Sequence, residues 1–309
     1  MPGLTFTVPA EYDGATVQNF LRRGCGLSWR MVVKLKQVPG GISADGVALR
    51  TIDRVAAGQR VELILPEDSV RIEGVELPLS VVYEDESLLL VDKPPYLAVH
   101  PSAGKPEPTL ANAVVAHFER EGQPLSFRPI NRLDRNTSGL LLAAKNAHVA
   151  YAMMRKPQKV YLALAVGRME GAGVVDQPIR VKEGCCITRE VGEGGKESLT
   201  RWEALATDGI VTLLRVVIET GRTHQIRVHM AWLGHPLVGD TMYGDPEGDG
   251  LGLERHGLHC AHMAFVHPLT GEELAFDSPL PPDMEGLLRV HGLCGAGGPP
   301  ASGPAGDER

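Results

Sequence analysis

Residues 131–144 read Asn131-Arg132-Leu133-Asp134-Arg135-Asn136-Thr137-Ser138-Gly139-Leu140-Leu141-Leu142-Ala143-Ala144. One acid stands between two arginines, a small polar turn follows, and an unbroken apolar run closes the segment. A short apolar run behind turn residues reads as a buried strand, so Asp134 lies where a loop enters the core. A carboxylate placed there is held rigidly and can face a cleft. Flanking guanidiniums favour the charged form of such an acid and can also grip phosphates. The same residues equally fit an ordinary loop ion pair leading into a core strand, because structural ion pairs perturb acids as well.

On the N-terminal side of this run, Val81-Val82-Tyr83 and Leu88-Leu89-Leu90-Val91 read as a hairpin turned at Glu84-Asp85-Glu86-Ser87. Asp92-Lys93-Pro94-Pro95 then kinks into a loop that reaches His100-Pro101-Ser102. Thr109 can cap a helix from Leu110 to about Arg120. On the other side, Asn146 caps a helix from Ala147 to Lys156, stopped by Pro157. Val160 to Val166 and Ile210 to Glu219 read as long strands by β-branched content and alternation. The hairpin signals predict an α+β domain with a mixed, mainly antiparallel central sheet flanked by helices, not strict βαβ winding. Residues 184–197 are glycine-rich and read as a mobile loop, and the tail from Gly292 to Arg309 reads as disordered.

The first 75 residues read as a separate small α+β domain. A short amphipathic helix opens at Val17 and stops near Gly24. Ser28 then caps a second helix, Trp29 to Gln37, which ends at Pro39-Gly40-Gly41. Asp45-Gly46 turns a hairpin from Ile42 to Val47-Ala48-Leu49, and Val61-Glu62-Leu63-Ile64-Leu65 closes the unit. The expected organisation is thus 1–75, 76–290 and a tail from 291 to 309.

Charge separates these parts. The whole chain carries −7, yet residues 14–60 hold Arg22, Arg23, Arg30, Lys34, Lys36, Arg50, Arg54 and Arg60 against Asp45 and Asp53. That segment is +6 and the remainder −13. Positive charge concentrated on a small module is the footprint of polyanion binding; a solvated charged face leaves the same trace.

At 309 residues, 43% hydrophobic and 22% charged, the chain has the material for roughly two globular domains. The start, Met1-Pro2-Gly3-Leu4-Thr5-Phe6, lacks the basic and apolar blocks of a signal peptide. No apolar run approaches the roughly 18 residues of a membrane span. Five cysteines without C-x-x-C argue against a disulfide framework and a structural zinc site, and place the chain in a reducing cytoplasm.

A second chemically dense run is Gly221-Arg222-Thr223-His224-Gln225-Ile226-Arg227-Val228-His229-Met230. A helix from near Thr223 would bury Ile226, Met230 and Leu233 and present His224 and Arg227, three apart, on an adjacent exposed face. Such a helix start also favours anions. Two solvated basic side chains on a surface helix would look the same. Cys185-Cys186 read as loop thiols, and His259, Cys260, His262 and His267 lack the cysteine pair of a zinc site. His117-Phe118-Glu119 fits the H-x-E element of zinc deaminases, but its P-C-x-x-C partner is absent. No nucleophile elbow, phosphate-binding loop or dinucleotide fingerprint occurs.

Asn131 to Gly139 resembles the H-R-L-D-x-x-T-S-G signature of the RluA-type pseudouridine synthases, with Asn131 where histidine is usual. Gly221 to Met230 is similar to their later arginine motif. Lys93-Pro94 with His100-Pro101, Lys159-Val160-Tyr161, Gly234-His235-Pro236 with Gly239-Asp240, and Leu258-His259 with His267-Pro268 agree in order. The likeness spans about residues 80 to 280. The N-terminal stretch resembles an S-four-like RNA-binding module through Phe20-Leu21, Ser28, Arg30, Gly46 and Gly58-Gln59-Arg60-Val61, with Gly58-Gln59 where Gly-Asp is usual.

The resemblance implies an isomerase that turns uridine in ribosomal or transfer RNA into pseudouridine, after base flipping, without cofactor or metal. Asp134 matches its catalytic aspartate and Arg227 the arginine that pairs with it. Tyr161 matches the tyrosine that stacks on the target base and can move a proton. Arg132 would fill the place of the extruded nucleotide; Arg222, His224, Arg22, Arg30 and Lys34 are carried as RNA contacts. RNA is the expected partner, a monomer the default state and the cytoplasm the expected location. A catalytically silent RNA-binding or ribosome-assembly protein on the same fold is the alternative, and a hydrolytic nucleosidase a third.

Overall fold

The computed structural model describes residues 3–27, 29–64, 72–101, 107–123, 125–153, 157–293 and 295 and, within these, every side chain except those of Leu4, Arg30 and His148. Ser28 and Leu65, expected as a helix cap and a strand end, Ser102, Lys156 and the tail beyond 295 lie outside the described residues. The chain divides into two units: residues 1–72 with 146–152, and 73–145 with 153–309.

In the first unit, β1 (Gly3–Thr7) pairs with β4 (Arg60–Ile64), which pairs with β2 (Ile42–Ala44) and through it β3 (Val47–Ala48), all antiparallel. β4 alternates buried Val61 and Leu63 with exposed neighbours, the mark of a strand with one wet face. The β2–β3 turn holds Asp45 at φ 51° and Gly46 at φ 79°. Two positive φ values define the turn that matches strand twist, which is why Asp-Gly occupies it. Helix α1 (Val17–Asn19), capped by Thr16, runs on as a π-turn from Phe20 to Gly24, and α2 spans Trp29–Gln37. Val17, Phe20, Leu21, Val32 and Leu35 meet Val61 and Leu63 in the core. Arg22, Arg23, Lys34 and Lys36 are exposed.

The second unit is built on a ten-stranded sheet whose main path runs β10-β13-β14-β9-β15-β8-β6-β5. Its first half holds β5 (Ser80–Glu84), β6 (Leu88–Lys93), β7 (Arg128–Pro129) and β8 (Ser138–Ala144), with α3 (Leu110–Arg120) between. Thr109 and Asn112 close a reciprocal capping box on α3. Every residue of β8 is buried, so this central strand covers both faces and shows no alternation. Asn146 caps α4 (Ala147–Ala152), which groups with the first unit, where the Tyr151 hydroxyl donates to the Gly26 carbonyl.

The second half adds β9 (Gln158–Val166), β10 (Ala172–Asp176), β13 (Leu199–Thr207) and β14 (Val211–Ile218), then α5 (Gln225–Trp232), β15 (Leu258–Val266), β16 (Glu273–Asp277) and α6 (Pro282–Val290). Met284, Leu287 and Leu288 of α6 pack on Leu162, Leu164, Val211 and Leu213. Burying each is worth about 1.5–3 kcal/mol. The glycine-rich stretch 184–197 is not simply a loop: β12 (Arg189–Val191) pairs with β11 (Ile179–Val181). Backbone pairing and the Arg180–Glu190 ion pair hold it despite its glycines. Among the described residues no helix is long and apolar enough to cross a membrane.

Candidate active site

The centre of the large sheet is where β8 and β15 run parallel, paired only at Ser138 with His259 and Gly139 with Cys260. Asp134 lies on the loop that feeds β8 at this point. A dense set of bonds fixes that loop. Ile130 N donates to the Leu142 carbonyl, and the Asn131 amide continues the ladder with its side chain: Oδ1 accepts from Leu142 N at 2.8 Å and Nδ2 donates to the Leu140 carbonyl at 3.2 Å. Thr137 Oγ1 meets His256 Nε2 at 2.9 Å, and Ser138 Oγ meets His259 Nδ1 at 3.0 Å. Arg255, fully buried, donates to the Asn136 carbonyl and is gripped in turn by both oxygens of Asp283. Lys93, also fully buried, donates to the carbonyls of Pro94, Leu97 and Arg135. Burial, then Arg255, pulls the Lys93 ammonium down to about 7 against Asp134 and Asp92.

Asp134 itself keeps 28% of its side chain exposed, and Arg227 Nη1 donates to its Oδ2 at 3.3 Å. Arg227 departs from the expected exposed face. Helix α5 begins at Gln225, two residues late, and Arg227 is buried beneath it. The cause is Asp240, whose carboxylate takes Arg227 Nε at 2.7 Å and Nη2 at 2.8 Å in a forked pair. Asp240 also accepts from Met242 N and Tyr243 N. Burial lowers the Arg227 pKa, but the bonds to Asp240, with Asp134 behind them, outweigh it and leave it raised. One guanidinium is thus locked by a buried carboxylate and offers its remaining edge to a half-exposed one.

His224 does not share a helical face with Arg227 either. It precedes α5 in a left-handed conformation, φ 58°, which turns its ring toward the loop. Its Nε2 lies 3.8 Å from Asp134 Oδ1 and its Nδ1 2.8 Å from the Tyr243 hydroxyl. The Arg227 guanidinium sits 4.9 Å from the centre of the Tyr243 ring. Leu233, expected among the buried residues of this helix, is its half-buried cap. Gln225 fixes the helix to β13 through the Leu199 carbonyl and Thr200.

Tyr161 is buried on β9 opposite Cys260. Burial pushes its hydroxyl pKa well up, and Cys260 and Asp134 push the same way. Arg132 is exposed on the Asp134 loop, whereas Arg222 spends Nε on the Glu197 carbonyl. Arg22 and Lys34 lie on the first unit, and the side chain of Arg30 is outside the described residues. So Asp134, Arg227 and His224 converge, while Tyr161 lies on β9, the strand paired with β15. Asp240 was legible only as part of a motif without a role, and Tyr243, Arg255 and His256 had no sequence signal.

Other clusters are structural. His267 meets Asp85 and Ser87, but both contact the same nitrogen, Nε2, while Nδ1 accepts from Leu269 N and Thr270 N. That closes a turn and cannot relay a proton as a Ser-His-Asp triad does. His117 pairs with Glu84. Among the described residues no group of three or more His, Cys, Asp or Glu could hold a metal ion.

The sequence profile described as RNA pseudouridylate synthase matches residues 87–232, which include Asp134, Tyr161 and Arg227. An uncharacterized RNA pseudouridine synthase of Bacillus subtilis is 35% identical over 273 residues, 85% of this chain and 95% of that protein. The chain belongs to the RNA pseudouridylate synthase family. It is an RNA pseudouridine synthase, an isomerase that converts uridine in RNA to pseudouridine. Ribosomal large subunit pseudouridine synthase D of Vibrio parahaemolyticus is 37% identical over 269 residues, 81% of this synthase and 83% of that protein. The human protein RNA pseudouridylate synthase domain containing 1 superposes with a TM-score of 0.55 at 28% identity, covering 71% of this synthase and 90% of that chain.

Proposed function

We propose that this synthase modifies uridines of large-subunit ribosomal RNA, with Asp134 as the reacting carboxylate. The observation that carries the reading is the Asp240–Arg227–Asp134 arrangement, which holds an accessible carboxylate rigid at the centre of the sheet. The names of the Vibrio and Escherichia coli relatives support the ribosomal substrate. In this reading Asp134 stabilises the electron-poor ribose, or bonds to ribose or base, while the bond between C1′ and uracil N1 is broken, and lets go as C5 joins C1′. Arg227 fixes the rotamer of the acid. Tyr161 packs against the base and can move a proton. Arg132 fills the space left by the flipped nucleotide, since the bond is out of reach inside a stacked helix.

The basic first unit, in the S-four-like reading, anchors the RNA through Arg22, Arg30 and Lys34, and Arg222, whose Nε donates to the Glu197 carbonyl, is a further RNA contact. The synthase acts as a cytoplasmic monomer, without metal or cofactor. The test is Asp134→Asn, assayed by pseudouridine mapping of total RNA from cells lacking the gene and carrying the variant. Pseudouridine at the affected sites should disappear while the purified variant retains RNA affinity within about threefold. Turnover near wild type would sink the assignment.

A further inference from the structure

His224 holds a left-handed backbone that few non-glycine residues of this chain adopt; Asp45 and Tyr96 are the others among the described residues. Such strain persists where surroundings over-determine it, and it gathers at functional sites. The surroundings here fix the ring and its protons. Tyr243 Oη accepts from Arg189 N at 3.0 Å and keeps an O–H that can be donated to His224 Nδ1, 2.8 Å away. The two rings stand edge to face with centroids 5.6 Å apart. An imidazole that accepts at Nδ1 carries its hydrogen on Nε2.

That Nε2 is 3.8 Å from Asp134 Oδ1, beyond hydrogen-bond range. No buried side-chain nitrogen or oxygen among the described residues lacks a partner. Nε2 therefore opens to solvent beside the carboxylate, although only 12% of the His224 side chain is exposed. The groups around the ring favour its neutral form. Burial lowers its pKa first, Arg227 and Arg189 add to this, and Asp134 and Asp240 oppose it. Tyr243 faces it as a neutral phenol, raised chiefly by burial.

We propose that His224 is a catalytic residue whose Nε2–H donates to a carbonyl oxygen of the target uracil as the bond to ribose breaks; this rests on Asp134 being the reacting carboxylate. When C1′–N1 breaks, its electron pair leaves with uracil and spreads over N1 and the carbonyl oxygens. A fixed N–H dipole stabilises that charge without giving up its proton. The pair used to form the C5–C1′ bond comes from the uracil ring. C5 then loses its proton and N1 gains one, so the product keeps the atoms of the substrate. A neutral donor suits the task because an imidazolium would pair with Asp134 and quench it. Tyr243 acts through His224 and is a positioning residue.

The experiment uses the full chain and total RNA from cells lacking the gene, labelled with tritium at uridine C5, with release of tritium as the rate. His224→Asn keeps a side chain that tolerates left-handed backbone but has no atom at the Nε2 position. It should lower kcat about 10²–10³-fold with KM changed less than about threefold. His224→Gln places an amide N–H near Nε2 and should recover at least tenfold over Asn. The acid limb of the kcat profile, set by protonation of His224, should vanish in the Gln variant. Wild-type kcat in His224→Asn, a loss confined to KM, or equal losses in Asn and Gln would overturn the proposal. Asp134→Asn run in parallel separates the two readings. If it is inactive while His224→Asn is active, only the histidine proposal falls; if it remains active, the Asp134 reading falls.

Discussion

Asn131 departs from the family signature, and its geometry accounts for the letter. Its amide both accepts from Leu142 N and donates to the Leu140 carbonyl, a two-residue span of one strand edge. A carboxamide carries an acceptor and a donor on one carbon and fits that spacing. Without it, two buried backbone groups of β8 lose their partners beside Asp134. Asn131→Ala should therefore cost about 1–3 kcal/mol, read as a lower urea midpoint at unchanged m-value. Its kcat should fall through the loosened loop, although Asn131 touches no reacting atom in this reading. A midpoint equal to wild type would show that the amide is dispensable. At this scale the sequence names the acid, since an isolated Asp between arginines before a strand is legible. It does not name Asp240, because a forked ion pair between a helix and a turn 13 residues on leaves no periodicity.

Between elements, the decisive contact is the parallel meeting of β8 and β15. Gly139 has φ 104°, and a Cβ there would lie 2.6 Å from the Cys260 nitrogen and closer still to its carbonyl oxygen. Both the backbone angle and the close approach exclude a side chain. Gly139→Ala should destabilise the second unit by at least about 2–3 kcal/mol, visible as a lower melting temperature, and should separate the Asp134 loop from β15. Retention of the wild-type melting temperature would contradict this packing. Most elements near this junction were readable. The β5–β6 hairpin, α3 with its Thr109 cap, β9 and β14 lie within two residues of their expected bounds. The start of α5 is also only two residues off, but that offset takes His224 out of the helix, and a helical period cannot reveal its left-handed φ. β12 was not readable, because its glycine surroundings are offset by cross-strand pairing.

At the scale of the molecule, charge and protonation give two further tests. The exposed Arg22, Arg23 and Lys34 belong to a unit that also contains α4, so deleting residues 1–72 would strip α4 of its packing. Replacing the three by Ala is cleaner. The slope of log RNA affinity against log salt should become shallower by about 2–3 units, and an unaltered slope would remove this face from RNA binding. Acid stability follows from buried histidines. Burial pulls His256 down to about 3, and His224, His229 and His259 are lowered too, again by burial first. A histidine lowered by folding binds its proton more readily when unfolded. Its stabilising contribution is full above pH 6.5 and is lost as pH falls below it. Between about pH 6.5 and 5.5, above the range where carboxylates titrate, the melting temperature should fall by at least about 4 °C, and less steeply in His256→Gln. A flat profile would mean that these rings are charged in the folded state. The sequence by itself determined the local elements, the basic first unit, the family signature and the acid within it, because apolar period, turn chemistry and residue order are written along the chain. Only the tertiary structure decided which groups surround that acid. Asp240 with Arg227, Tyr243 with His224, and Arg255 with Asp283 are joined by folding across the sheet, and contacts made in space have no pattern in one dimension.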